Sequence, residues 1–203
     1  MMTVGLTGPS GAGKGTLASL FARYGVPSID TDAVYHALLI PPSPCLEELT
    51  NAFGKEILRP DGTLDRKALA SLVFAPGREA ELATLNRITH RHVLAEVRLR
   101  LAAYRAAGSP AVLVDAPQLF ESGFDAECDA ILSVLAPREL RMARIMERDG
   151  LDTARAEARI NAQKPDAFFR ERSDAVICND GSASDMDAEV RRLLALWEVP
   201  YAI

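Results

Sequence analysis

Lys14 completes the pattern G-x-x-x-x-G-K, written in this chain as GPSGAGKGT over residues 8–16. These residue types at this spacing hold a phosphate chain. Glycines let successive backbone N–H groups turn inward and form an anion nest. A following helix adds the positive end of its dipole, and Lys14 adds a cation for the β- and γ-phosphates. Thr16 or Ser10 supplies a hydroxyl near the phosphates or a metal. Gly15 stands where the usual pattern has Ser or Thr, the residue that normally ligates Mg²⁺. The metal is then left to Thr16, phosphate oxygens and waters held by a carboxylate. Asp115 ends the run VLVD. It is placed either as that acid or as a strand-end carboxylate capping a turn. A nucleoside triphosphate with Mg²⁺ is the expected ligand.

Two further groups could act on the acceptor of a phosphoryl group. Asp32 lies in IDTDAVYHAL (29–38), after a second short strand. In an open α/β sheet, ligands bind beyond the carboxyl ends of the strands. A carboxylate there can orient an acceptor hydroxyl and take its proton. Spacing alone equally allows Asp30, Thr31 or Asp32 to be a helix N-cap. The second group is basic. Nine of the 23 Lys and Arg residues fall between Arg138 and Arg172. Arg141, Arg144 and Arg148 recur at three- and four-residue spacing, on one helical face. Interleaved Glu147, Asp149 and Glu157 fit a solvated face. A helix–DGLD–helix shape with Gly150 between fits a closing lid that brings cations to the γ-phosphate. His36, His90 and His92 form no metal constellation.

Alternating elements must position these residues. Strands are expected over 2–7, 25–30, 111–116, 130–136 and 175–179. Helices are expected over 14–24, 31–40, 65–74, 78–107, 137–149, 153–163 and 185–197. Strands alternating with helices predict a parallel sheet covered on both faces. Residues 41–107 carry little strand signal and read as a mostly helical insertion.

Composition narrows the class. The chain has 203 residues, 48% of them hydrophobic, enough for one globular domain carrying inserted subdomains. Its net charge of -5 argues against non-specific nucleic-acid binding. Three scattered cysteines fit a reduced, cytoplasmic protein without structural disulfides or zinc. Neither a signal peptide nor a membrane span is expected.

Taken together, the segments resemble dephospho-CoA kinase over nearly the whole length. They are GLTGPSGAGKGT (5–16), DTDAVYHAL (30–38), DGTLDRKALASLVF (61–74), ITHRHV (88–93), VDAPQLFESG (114–123), RIMERDGL (144–151), RINAQ (159–163) and SDAVICNDG (173–181). The resemblance implies a P-loop NTPase fold, a three-layer α/β/α core with a parallel sheet, a helical acceptor-binding insertion and a helical lid. The core would take residues 1–40 and 108–203, with the lid at about 138–172 and the insertion at 41–107. The implied reaction is ATP-dependent phosphorylation of the ribose 3′-hydroxyl of dephospho-CoA, giving CoA and ADP.

The same resemblance implies residue roles. Asp32, Lys14, Arg144 and Arg148 would be catalytic. Gly11, Ala12, Gly13, Lys14, Gly15, Thr16, Arg141 and Asn179 would contact ATP. Asp32, His36, Arg66 and His90 would meet the acceptor, and Thr16 and Asp115 would hold Mg²⁺, partly through water. The partners would be ATP and dephospho-CoA, with no nucleic acid or membrane, in a monomer or small homo-oligomer. The chain departs from the family's pattern at the loop, at Arg91 in place of a proline, at Gln118 in place of a leucine, at Arg141 in place of a glutamine and at Arg170 in place of a lysine. Its loop looks closer to that of cytidylate kinases. A cytidylate kinase and a non-catalytic nucleotide switch are the alternatives.

Overall fold

The computed structural model describes residues 1–180 and 183–201, with the Ala183 side chain left out. The chain divides into two compact units, residues 1–29 with 101–203, and residues 30–100.

The first unit is built on a sheet in the order β2-β3-β1-β4-β5. Its strands are β1 (Met2–Thr7), β2 (Ser28–Asp30), β3 (Ala111–Asp115), β4 (Ala130–Leu135) and β5 (Ala175–Cys178). β1 pairs in parallel with β3 and β4, and β4 with β5. Val112, Leu113 and Val114 are all fully buried, as in a strand covered on both faces. β1 is central, and the chain leaves it in both directions along the sheet. The loop after β1 therefore sits at a topological switch point, where such sheets bind ligands.

Two helices cover one face. On α1 (Lys14–Arg23), Leu17, Leu20 and Phe21 recur at helical spacing and are buried. They pack with Val4 and Leu6 and with Val190, Leu193 and Leu194 of α9 (Ala183–Leu196). Phe21 stacks on Trp197, and the Tyr24 hydroxyl donates to Asp187 on α9. Gly5 points to the opposite face, where an added Cβ would meet Leu119 and Cys128 at 2.9 Å. On that face Ser133 of β4 bonds Ser173, which closes α8 (Asp166–Arg172). Between β4 and β5 run α6 (Arg138–Asp149) and α7 (Thr153–Asn161), followed by α8. α6 and α7 share a small core of Ile145, Ala156 and Ile160.

The second unit holds α2 (Thr31–Ala37), α3 (Pro44–Phe53), α4 (Arg66–Val73) and most of α5 (Glu79–Ala106). Leu46, Leu49, Ile57, Leu69, Val73 and Ile88 form its core. Asp30, Ser43 and Asp65 cap α2, α3 and α4 with side-chain oxygens. α2 stops at Ala37 rather than at 40, three residues short of the Pro41–Pro42 pair that cannot continue a helix. α3 and α8 are helices the sequence did not announce. The prolines read as a helix stop also start α3, with Ser43 as cap and Pro44 in its first turn.

Candidate active site

α6 brings Arg141, Arg144 and Arg148 onto the phosphate-binding loop. Gly11 and Gly13 sit at φ +78 and +104, which other residues rarely adopt. Each also lacks room for a Cβ. At Gly11 it would lie 2.8 Å from the Arg141 carbonyl oxygen, and at Gly13 2.1 Å from Asn179 Nδ2. No side chain caps α1 at Gly13, so the orphan N–H groups of its first turn face the ligand side. Lys14 Nζ donates to the Gly8 carbonyl at 3.0 Å, folding back across the loop.

Arg144 donates to the Gly11 carbonyl at 3.1 Å and approaches Asn179 Oδ1 at 3.5 Å. Asn179, just beyond β5, donates Nδ2 to the Ala12 carbonyl at 2.8 Å, while its own N–H reaches Leu135. Arg148 donates to Ser10 Oγ at 3.3 Å and makes a two-point pair with Asp149, which also binds Arg159. The two guanidinium groups, Arg148 first, hold the Asp149 carboxyl below its usual range. Arg138 ties α6 to α7 through Glu157 and Asn161.

Arg141, expected at the ATP, is only 5% exposed and lies under the loop. Its guanidinium is engaged by the Ser10 carbonyl, Gln163 and, at 3.6 Å, Asp166. Burial pushes its pKa down, and the Asp166 charge works against that shift. Asp115 sits at the end of β3, in register with Leu6, with Oδ1 buried. Thr16 is exposed in the first turn of α1. Among the described residues, no three His, Cys, Asp or Glu side chains cluster for a metal. The available donors are hydroxyl and carboxylate oxygens, which suit Mg²⁺ that keeps waters and phosphate ligands.

In the second unit, Asp30 and not Asp32 caps α2. Its Oδ1 accepts from the N–H groups of Asp32 and Ala33 at 2.8 and 3.0 Å. That leaves the exposed Asp32 carboxylate out of the cap. His36 follows Asp32 by four residues, on the same helical face. Arg66, opening α4, meets His36 Nδ1 at 2.9 Å. His90 is half-buried on α5, apart from this pair in sequence. Arg91, which departs from the family pattern, pairs with Glu48 on α3, as does His92 at 2.8 Å.

The dephospho-CoA kinase family model matches residues 2–185. The dephospho-CoA kinase of Anaeromyxobacter dehalogenans is 42% identical over 96% of this chain and 92% of its own. The chain belongs to the dephospho-CoA kinase family. Solved structures agree. A Thermus thermophilus protein superposes with a TM-score of 0.79 at 34% identity, over 96% of this chain and 97% of its own. The dephospho-CoA kinase from Campylobacter jejuni does so at 0.68 and 26%, over 95% of each chain. The parallel sheet and its flanking helices are thus the P-loop NTPase fold of this kinase family. Gln163 is the loop-facing residue that spacing missed. It closes the segment RINAQ, where an amide in a short helix tail carries no period or charge signal to assign it to the loop.

Proposed function

We propose that this chain transfers the γ-phosphoryl group of ATP to the ribose 3′-hydroxyl of dephospho-CoA, giving CoA and ADP. The observation that carries the reading is membership of the dephospho-CoA kinase family along nearly the full chain. Arginines at the loop support it. Gly11, Ala12, Gly13, Lys14, Gly15 and Thr16 cradle the ATP phosphates, and Asn179 lies beside the adenine. Arg144 and Arg148 supply positive charge around the transferring group, from a lid over about 138–172. Mg²⁺, with Thr16 and Asp115 as its protein side, would neutralise charge on the phosphate oxygens.

On the acceptor side, Asp32 takes the hydroxyl proton, with His36, Arg66 and His90 holding the substrate. The acceptor oxygen forms a bond to the γ-phosphorus as the bond from that phosphorus to the β–γ bridging oxygen breaks. The hydroxyl proton passes to the Asp32 carboxylate. Among the described residues no helix is long and apolar enough to cross a membrane, and all three cysteines are free thiols. Both fit the reading of a cytoplasmic enzyme.

An acceptor screen tests the proposal. The protein is mixed with Mg-ATP and dephospho-CoA, CMP, dCMP or no acceptor, and ADP is followed. Dephospho-CoA should give the fastest release by a wide margin. Faster release with CMP would move the assignment to a nucleoside monophosphate kinase.

A further inference from the structure

Three consecutive carbonyls of the phosphate-binding loop are each held by a side chain from elsewhere in the first unit. Arg141 Nε donates to Ser10 at 3.1 Å, Arg144 to Gly11 at 3.1 Å and Asn179 Nδ2 to Ala12 at 2.8 Å. In a trans peptide the C=O and the next N–H point in opposite directions from one rigid plane. Among the described residues the cis peptide bond is Pro41–Pro42, outside the loop's own sequence. Drawing the Ser10 carbonyl toward Arg141 therefore turns the Gly11 N–H the other way. Drawing the Ala12 carbonyl toward Asn179 does the same for the Gly13 N–H. These are donors an anion nest needs.

The Arg141 anchor depends on Gln163. One edge of the guanidinium, Nε and an Nη, spans the Ser10 carbonyl and Gln163 Oε1, the latter at 2.6 Å. Gln163 Oε1 also accepts the Ser10 N–H at 3.2 Å, which closes a ring of three residues. Both peptide planes of Ser10 are thus tied to one buried arginine. A buried guanidinium is tolerated only when it is fully partnered. Arg141 has few alternatives, since its remaining edge faces Asp166 and its own backbone lies against Gly11.

We infer that Gln163 and Arg141 are positioning residues for the phosphate-binding loop, acting on ATP through Ser10 rather than by touching it. The inference deepens the reading that this loop holds the ATP phosphates and rests on it. Gln163 sets the Arg141 fork, the fork sets the Ser10–Gly11 peptide, and that peptide aims the Gly11 N–H at the phosphate. Arg141, the residue in place of a family glutamine, brings to the ring a planar charged fork whose Nε and Nη meet the two acceptors from one edge.

The test is binding of Mg-ATP and of inorganic tripolyphosphate by calorimetry, with the parent, Gln163→Leu, Gln163→Glu and Arg141→Lys. Tripolyphosphate probes the loop without the adenine side. Gln163→Leu and Arg141→Lys should each bind both ligands about tenfold more weakly, the equivalent of one lost hydrogen bond. Gln163→Glu keeps an acceptor between Arg141 and Ser10 and should stay within about threefold of the parent. Parental affinity in Gln163→Leu overturns the inference. So does a Gln163→Glu loss as large as that of Gln163→Leu, which would mark a packing role only. A parent that binds Mg-ATP but phosphorylates no dephospho-CoA overturns the proposed function instead, and the binding comparison still decides the role of Gln163.

Discussion

Asn179 donates its side-chain amide to the Ala12 carbonyl at 2.8 Å, joining residues 167 positions apart. The bond is buried, with Asn179 only 6% exposed. It links the end of β5 to the turn that starts α1. The same amide nitrogen fills the space a Cβ at Gly13 would need, so loop and amide fit only each other.

Asn179→Asp should weaken ATP binding by about tenfold and lower stability by about 1–3 kcal/mol, because a carboxylate oxygen then faces the Ala12 carbonyl with no proton to give. Calorimetric titration and thermal melting check both. An unchanged affinity would show that the loop holds its shape without this bond.

Asp30 and Asp32 separate a structural carboxylate from a chemical one. Asp32→Asn should lower kcat by about 10²–10⁴-fold while leaving ATP affinity and melting unchanged. Asp30→Ala should instead cost about 1 kcal/mol of stability through loss of the α2 cap. Parental turnover in Asp32→Asn would remove it from the proton transfer.

Gly15 has open space where a Cβ would stand and no unusual backbone angle that requires glycine. Gly15→Ser should therefore fold normally and place a hydroxyl beside the Thr16 side of the proposed metal site. The Mg²⁺ concentration for half-maximal turnover should fall about threefold, within the range of one modest extra contact. An unchanged Mg²⁺ requirement would move the metal away from the first turn of α1.

Glu48 is one source of pH dependence in the second unit. The His92 hydrogen bond, followed by Arg91, holds its carboxyl below the usual range. A depressed carboxyl pKa stabilises the fold above the ordinary carboxylate pKa, and that contribution is lost as pH falls through the folded value. Glu48→Gln should thus melt lower than the parent at pH 7, with the difference closing below about pH 4. A gap that persists in acid would assign the effect to packing rather than charge.

Much of the site was legible in the chain because its signals are local. GPSGAGKGT declares a phosphate loop by its glycine spacing, Lys14 and the strand and helix around it, and the apolar strand runs with intervening helices declare a parallel sheet. Arg144 and Arg148 stand out by their four-residue spacing on a basic helix. Asp32 was legible as a candidate only, since Asp30, Thr31 and Asp32 all suit a helix cap.

Tertiary structure decided what depends on distant partners. It placed Arg141, expected at the ATP, as a buried side chain on a loop carbonyl 131 positions away. It found Gln163 by a bond to Ser10 across 153 positions. Periodicity reports which face of an element is buried; it cannot report which backbone group a buried polar side chain will meet. The sequence alone therefore determined that a phosphate is held here. The packed fold decided which residues aim the loop at it, since orienting a peptide plane takes hydrogen bonds from elements the chain brings together only on folding.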